Sequence, residues 1–491
     1  MIGEPAMPAH SDELPPLQFE SLVLRPLFEG KLRIDCTKIS LTGTINGKPM
    51  EFTGPGYITQ MKSTQEESTG FAITIFMERQ LTITDASPPV VLEGTLLKAS
   101  DTLTAIDELG RNWHAENIRM TDPSGCVGGV LRASCHELVL SRRSLEGNSI
   151  EVWSRGELRL PTTTVRRLPI IEQPAELSGR RYVTTVGADT FQSCGFDFAA
   201  FHHDGNTGMR AMGNQSLPQN IGSRVWESML FALAGPLNWS AIKLIDQGTE
   251  ELRIRSPRGR PSSNGDSPIL SYLYPPPYDT WKIFDCYLRY VLKVGKKTQP
   301  SPPAKLHPLS SQVFAVCNAR GLSIEAQSLA LTVAVENVLN TFFTDRGNPV
   351  DADVTALCEL AKHIENWSTE NQEPRKRAKN RVKGAISGFQ KAGAGDRIHA
   401  LLSANAITDA GREAWKELRN PAAHGDWPEL RQNHQRWADW IGAVRTLFHQ
   451  LIFHLIGYKG TYTDYGTPGY PLGAYPPSPA TGAVPDAPGA P

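Results

Sequence analysis

The chain has no excess of charge of either sign. Its 50 lysines and arginines stand against 51 aspartates and glutamates, a net charge of −1. Such a balance does not support a nucleic-acid coat or a membrane-seeking surface over the whole molecule, so any charged site has to be local. Cysteine is scarce and scattered. The seven residues, at 36, 126, 135, 194, 286, 317 and 358, are odd in number and contain no CxxC pair. That argues against both a disulfide framework and a zinc knuckle. No apolar run approaches the roughly 20 residues needed to span a bilayer. The opening MIGEPAMPAHSDELPP lacks the basic n-region and apolar h-region of a secretion signal. Together these absences lead to the expectation of a soluble, cytoplasmic protein of a reducing compartment.

What is present divides the 491 residues into parts. Residues 1–16 are polar and proline-rich and are expected to be flexible. Residues 17–200 read as β-rich, with Ile/Val/Thr/Phe segments such as Lys38-Ile39-Ser40-Leu41-Thr42, Phe71-Ala72-Ile73-Thr74-Ile75-Phe76, Val90-Val91-Leu92 and Leu138-Val139-Leu140. Asn46-Gly47 between two such runs is a strong hairpin signal. Many short strands without a helical pattern between them predict an antiparallel sandwich or barrel-like domain, and it carries no catalytic constellation. Residues 201–306 form a mixed segment with helices predicted near 224–233 and 279–292. In the second of these Trp281, Phe284, Tyr287, Leu288 and Val291 recur at helical spacing. Between the two helices, 258–266 reads as a loop, and 296–303 reads as a linker. Residues 307–457 are helical. Leu331, Val335, Val338, Leu339 and Phe342 make one stripe, and Trp437, Trp440, Ile441, Val444, Leu447, Phe448, Leu451, Ile452 and Leu455 make another. An antiparallel helix bundle is predicted, followed by a Tyr/Gly/Pro-rich tail, 458–491, with a disordered end. The fold class expected is therefore α+β and multidomain.

One segment comes close to naming a reaction. Arg419-Asn420-Pro421-Ala422-Ala423-His424, followed by Gly425, sits at the end of a predicted helix. Arginine is a fixed cation whose planar fork of donors suits a phosphate. Histidine can donate or accept a proton near neutral pH. The helix is expected to start near Thr408-Asp409, to turn Ala414, Trp415 and Leu418 inward, and to reach Arg419. Pro421 biases Asn420 away from the α region and suits the first position of a new turn. A kink between Arg419 and His424 is expected, aiming both side chains to one side of the bundle end. The plainer reading stays open: Arg419 can satisfy the last carbonyls of its helix and His424 can be a capping or surface residue.

This segment resembles the RNxxxH motif of HEPN ribonucleases, specifically the ApeA-like branch of bacterial anti-phage defence. The match is residue for residue at Arg419, Asn420 and His424. An acidic residue, Glu336, in an earlier apolar helix and a preceding β-rich region agree with it, as does the closing Leu455-Ile456-Gly457-Tyr458-Lys459-Gly460. The resemblance covers residues 307–460. It implies a HEPN-type helix bundle that cleaves RNA, tRNA among the candidate targets, without metal or cofactor. The 2′-hydroxyl attacks the adjacent phosphate and leaves a 2′,3′-cyclic phosphate and a 5′-hydroxyl. His424 would move a proton, Arg419 would hold the phosphate, Asn420 would orient His424, and Glu336 would order Arg419 through a charge-assisted bond. Two copies of the motif facing each other in a homodimer would make one composite site. The β-rich region would sense a phage-derived trigger and restrain the enzyme until abortive infection is called for.

Other residues carry weaker signals. The basic run Arg375, Lys376, Arg377, Lys379, Arg381 and Lys383 is a candidate RNA track, although a solvated helix face explains it as well, and no aromatic residues interleave it for base stacking. His202-His203-Asp204 looks metal-like, but adjacent strand residues point to opposite faces, so no metal site is expected there. The loop arginines Arg258 and Arg260 are left undecided, and the tail tyrosines are expected to pack or dangle. The alternative to a nuclease is a catalytically inactive HEPN interaction or dimerisation module, with the β-rich domain binding a protein or ligand.

Overall fold

The computed structural model describes residues 13–45, 48–61, 70–77, 102–122, 129–143, 147–161, 165–173, 183–218, 220–235, 239–256, 269–270, 279–293, 306–348, 351–366, 373–389, 392–424 and 434–477. The protein is of the α+β class, and it divides into two compact units. The first comprises Met1–Leu230, Gly235–Asn264 and Val291–Ala304; the second comprises Phe231–Ala234, Gly265–Tyr290 and Lys305–Pro491. Asn46-Gly47, Val90-Val91-Leu92, Arg258, Arg260, the loop 258–266, the linker 296–303, residues 1–12 and residues 478–491 lie outside the described residues. Residues 13–16, expected to be flexible, are held, with the Leu14 N–H donating to the Arg167 carbonyl at 2.9 Å.

In the first unit the strands are β1 (Leu17–Glu20), β2 (Arg33–Ile45), β3 (Lys48–Gln60), β4 (Phe71–Phe76), β5 (Thr102–Asp107), β6 (Asn112–Glu116), β7 (Arg119–Asp122) and β8 (Val130–Cys135). They continue as β9 (Glu137–Arg143), β10 (Asn148–Ser154), β11 (Val165–Gln173), β12 (Val183–Ser193), β13 (Phe196–His203), β14 (Asn206–Gly213), β15 (Trp239–Asp246) and β16 (Thr249–Arg255). All sixteen join one sheet in the order β1-β11-β12-β13-β14-β10-β15-β16-β9-β6-β5-β2-β3-β4-β8-β7. The strands thus run on past residue 200, where the sequence suggests a mixed segment. Only β1 with β11 pairs parallel among the described ladders. On either side of Asn46-Gly47, Ile45 pairs with Lys48, the register a two-residue connection imposes. Residues from both ends of the order, Leu17 and Phe19 as well as Leu131 and Ala133, share one hydrophobic cluster. A sheet of this many strands has to coil to achieve that. Strand β5 alternates buried and exposed positions, whereas β14 buries six in succession, as expected of a strand covered on both faces.

Helix α1 (Ser21–Glu29) interrupts the strands after β1 and packs on β1, β11 and β15. It stops at Gly30, whose φ of 75° returns the Gly30 and Lys31 N–H groups to the carbonyls of Leu27 and Pro26. The segment around β1 is fixed by polar bonds. Arg210 Nη1 donates to the carbonyls of Pro15 (2.7 Å) and Pro16 (3.1 Å), and Lys243 Nζ donates to that of Gln18 (3.3 Å). Helix α2 (Ile221–Leu233) follows β14.

The second unit holds α3 (Thr280–Leu292, to Tyr290), α4 (Pro308–Ala319), α5 (Ile324–Phe342), α6 (Asp351–Glu365), α7 (Glu373–Phe389), α8 (Ala394–Ser403), α9 (Asp409–His424) and α10 (His434–Ile456). The Ser323 hydroxyl caps α5 by accepting from the Ala326 N–H at 3.3 Å. Most of the apolar stripes read from the sequence is interior: Leu331, Val335, Val338 and Leu339 on α5, and Trp437, Ile441, Val444, Leu447, Phe448, Leu451 and Ile452 on α10, are buried, while Phe342, Trp440 and Leu455 are half-buried. Helix α5 contacts α4, α8, α9 and α10, while α6 and α7 pair with each other. The segment after α10 packs instead of dangling. Tyr458, Tyr462, Tyr465 and Tyr475 are buried, and only Tyr470 of the five is exposed. The strands β17 (Gly460–Thr463) and β18 (Leu472–Tyr475) form a hairpin, and Gln450 of α10 donates to Tyr462 Oη at 2.8 Å.

Candidate active site

Helices α5 and α9 meet in two rungs, each one helical turn from the next. In the inner rung Trp415 is buried and its Nε1 donates to the Thr332 carbonyl at 3.5 Å. That carbonyl belongs to a turn in which the Thr332 hydroxyl donates to the Ser328 carbonyl at 2.8 Å. Four residues on along each helix lies the outer rung. Arg419 Nε is 3.2 Å from Glu336 Oε2 and Nη2 is 3.1 Å from Oε1, a two-point guanidinium–carboxylate pair. The guanidinium also lies 5.3 Å from the centroid of the Trp415 ring, within cation–π range. Leu418, beside Arg419, is fully buried and anchors this stretch of α9.

The outer rung faces water. The side chains of Arg419 and Glu336 are 46% and 36% exposed, so the pair contributes only about 0–1 kcal/mol to stability. Its main effect is to fix direction: the carboxylate holds the fork in one plane and leaves three of the five N–H donors of the guanidinium for another acceptor.

The kink expected between Arg419 and His424 does not end the helix. The backbone stays helical through Asn420 and Pro421 to His424. Pro421 has no N–H to bond back to the carbonyl four residues earlier, and its ring crowds that carbonyl, yet the helical backbone continues past it. On a continuous helix, positions 419 and 424 are about 7.5 Å apart along the axis and about 140° apart around it. Positions 420 and 424 share a face instead. The side chains of Asn420 and His424 lie outside the described residues.

The basic run falls on α7, where Lys376, Arg377 and Arg381 are exposed. Lys379 Nζ donates to the Glu365 carbonyl at 2.6 Å and Lys383 Nζ to the Glu365 carboxylate at 2.6 Å. The bond from Lys383 holds the Glu365 carboxyl below its usual range. Two members of the run thus tie α7 to the end of α6. The side chain of Arg375 lies outside the described residues.

His202 and His203 do diverge on β13. Nδ1 of His202 is 3.3 Å from the hydroxyl of Thr207, its cross-strand partner. His203 instead turns toward Asp204 and Glu172 of β11. Nothing local in the sequence links Glu172 to the other two, because β12 lies between their strands. Burial pushes the Cys36 and Cys135 thiols up to about 12, which leaves them poor nucleophiles. Comparison of the chain with models of protein families, with curated proteins and with solved structures finds no match.

Proposed function

We propose that the chain is a metal-independent RNA endonuclease of the HEPN type, acting as a homodimer in anti-phage defence. The observation that carries this reading is the Arg419–Glu336 pair: an arginine fork held in one plane at a water-facing helix junction, on the same helix as His424. The fork is already ordered, which lowers the cost of seating a phosphate, and it still has donors to offer beside those that Glu336 takes. In the reaction the 2′-oxygen forms a bond to the adjacent phosphorus while the bond to the 5′-oxygen breaks. His424 takes the 2′-hydroxyl proton, and Arg419 offsets the charge that grows on the phosphoryl oxygens. The 5′-oxygen leaves with a proton from His424 of a second copy. With 419 and 424 on different faces of one helix, a composite site drawing the arginine and the histidine from two chains is geometrically simpler than one drawn from a single chain.

A second reading rests on the same pair. Two rungs joining α5 to α9, with the outer one only half exposed, are also what a catalytically inactive interaction module needs to lock its helices. The two readings separate on purified wild type and His424→Ala given total cellular RNA with EDTA present. Cleavage by wild type alone, leaving 2′,3′-cyclic phosphates, supports the nuclease. Equal cleavage shows that His424 does not carry the reaction and overturns this nuclease reading, whereas none by either protein in extract of phage-infected cells supports the inactive module.

A further inference from the structure

The turn between β13 and β14 gathers three ligand-type side chains in the first unit. His203 ends β13, Asp204 follows it with a φ of 48°, and Glu172 comes from β11. One donor atom of each lies within 4.8 Å of the others. Arg25 of α1 reaches the two carboxylates, with Nη2 3.0 Å from Glu172 Oε1 and 2.8 Å from Asp204 Oδ2, and Nε 3.0 Å from Asp204 Oδ2. So far this is an ordinary surface ion-pair triad.

His203 does not belong to such a triad. Its side chain is only 4% exposed. The ring packs edge-on against Phe19, with centroids 4.7 Å apart, and lies 6.5 Å from Trp153. Its Nε2 is buried without a hydrogen-bond partner and stands 4.0 Å from Asp204 Oδ2, too far to bond. A buried nitrogen left unsatisfied is costly, and such groups call for an explanation.

We propose that Glu172, His203 and Asp204 form a binding site for a divalent first-row transition ion such as Zn2+, with Arg25 as its built-in competitor. One imidazole nitrogen and two carboxylate oxygens are ligands that zinc takes, and they leave a further position open. A nitrogen donor disfavours Mg2+ and Ca2+, which prefer all-oxygen sites. The Arg25 side chain is 43% exposed, so its ion pairs hold it weakly and it can turn out into water. Binding would put two positive charges where Arg25 supplies one, and would give His203 Nε2 its missing partner. It would also exchange a tie between α1 and the sheet for one made within the sheet, so ligation alters how α1 is held.

The test is calorimetric titration of chelator-treated full-length protein with ZnCl2, independent of any RNA cleavage. Wild type is expected to bind one equivalent. Asp204→Asn and Glu172→Gln are each expected to weaken binding about tenfold or more, and Arg25→Met to tighten it, because the competing cation is gone. A His203 variant can fail to fold for packing reasons, so the partly exposed residues carry the test, with circular dichroism confirming their fold. Absence of stoichiometric binding in both wild type and Arg25→Met overturns the proposal. Binding that is the same in Asp204→Asn as in wild type overturns it too.

Discussion

Arg419 is the residue on which charge and geometry come apart most cleanly. Lysine in its place keeps the charge but loses both the two-point pair with Glu336 and the planar fork. If the fork matters, Arg419→Lys loses most of the cleavage; if only charge matters, it does not. On the proposed nuclease reading, His424→Ala is expected to lower the cleavage rate by about 10²–10⁴-fold, the usual contribution of a proton-transfer group. Glu336→Gln tests the pair from the other side. The pair is half exposed, so thermal stability should stay within about 1 kcal/mol of wild type, while cleavage falls about tenfold as the fork loses its fixed plane. Unchanged cleavage in Glu336→Gln would make the carboxylate a strut and nothing more. How these residues could be read from sequence follows from their separation. Arg419, Asn420 and His424 are neighbours in the chain and form a visible pattern. Glu336 is 83 residues away from its partner and was visible only as a carboxylate on an apolar helix. Thr332 offered no signal at all, because it serves through a backbone carbonyl that every residue possesses.

Among the elements, the long amphipathic helices were legible because a period of 3.6 repeated over several turns is a strong local signal. Trp281, Phe284, Tyr287, Leu288 and Val291 of α3 are all buried as their spacing required. The sheet order was not legible. That β10 sits between β14 and β15, and that β1 runs parallel to β11, depends on long-range pairing that no short window encodes. Helix α1 was missed because nine residues, with Pro26 among them, hold too few turns to show a period. The tail tyrosines could be read only as packing or dangling, because composition rich in glycine and proline says nothing about what they touch; all but Tyr470 are buried, and the segment packs against α10. That packing makes a sharp prediction at Gly442. A Cβ there would stand 2.1 Å from the Tyr465 carbonyl oxygen and 3.0 Å from its carbon, both backbone atoms. The Tyr465 N–H is meanwhile tied to the Thr446 hydroxyl on the same helix at 2.9 Å, so the strand segment has little freedom to withdraw. Gly442→Ala should therefore destabilise the protein by about 1–3 kcal/mol through overpacking, despite alanine's better helix propensity. Urea denaturation measures it, and a neutral or stabilising effect would mean that α10 and this segment are not in close contact.

Over the whole molecule, the buried and half-buried histidines set a direction for pH. His202 and His203 in the first unit, and His449 and His454 in the second, all have their pKa values pushed down, burial being the largest cause for each. His449 is the extreme case, fully enclosed, with Arg320 and Arg445 adding to the effect. The same burial, with Arg320 nearby, holds the Arg445 guanidinium at about 10, and the Cys317 thiol of this pocket is raised, so the thiol supplies no compensating negative charge at neutral pH. A base whose folded pKa lies below its unfolded value favours folding fully above the unfolded value, and that contribution disappears as pH falls toward the folded one. The unfolded chain takes up protons first, near 6.5, so stability must decline as the pH drops below that point. A histidine that stays neutral in the fold costs about 1 kcal/mol between pH 6.5 and 5.5. Glu151 works in the opposite sense. Burial raises its pKa against the pull of Lys243 and Arg210, which adds stability on the acid side and loses it as pH rises through the folded value. The histidines and Glu151 thus act in opposite directions between pH 7 and pH 5, and the histidine contribution is the part that makes the melting temperature fall as the pH drops. The assignment to His449 is checked with His449→Gln, which removes the titration while keeping a polar side chain of similar reach. Its melting temperature should be lower than wild type at pH 7 but less sensitive to acid, so that the two curves converge by pH 5. Parallel curves would place the acid sensitivity in the other histidines.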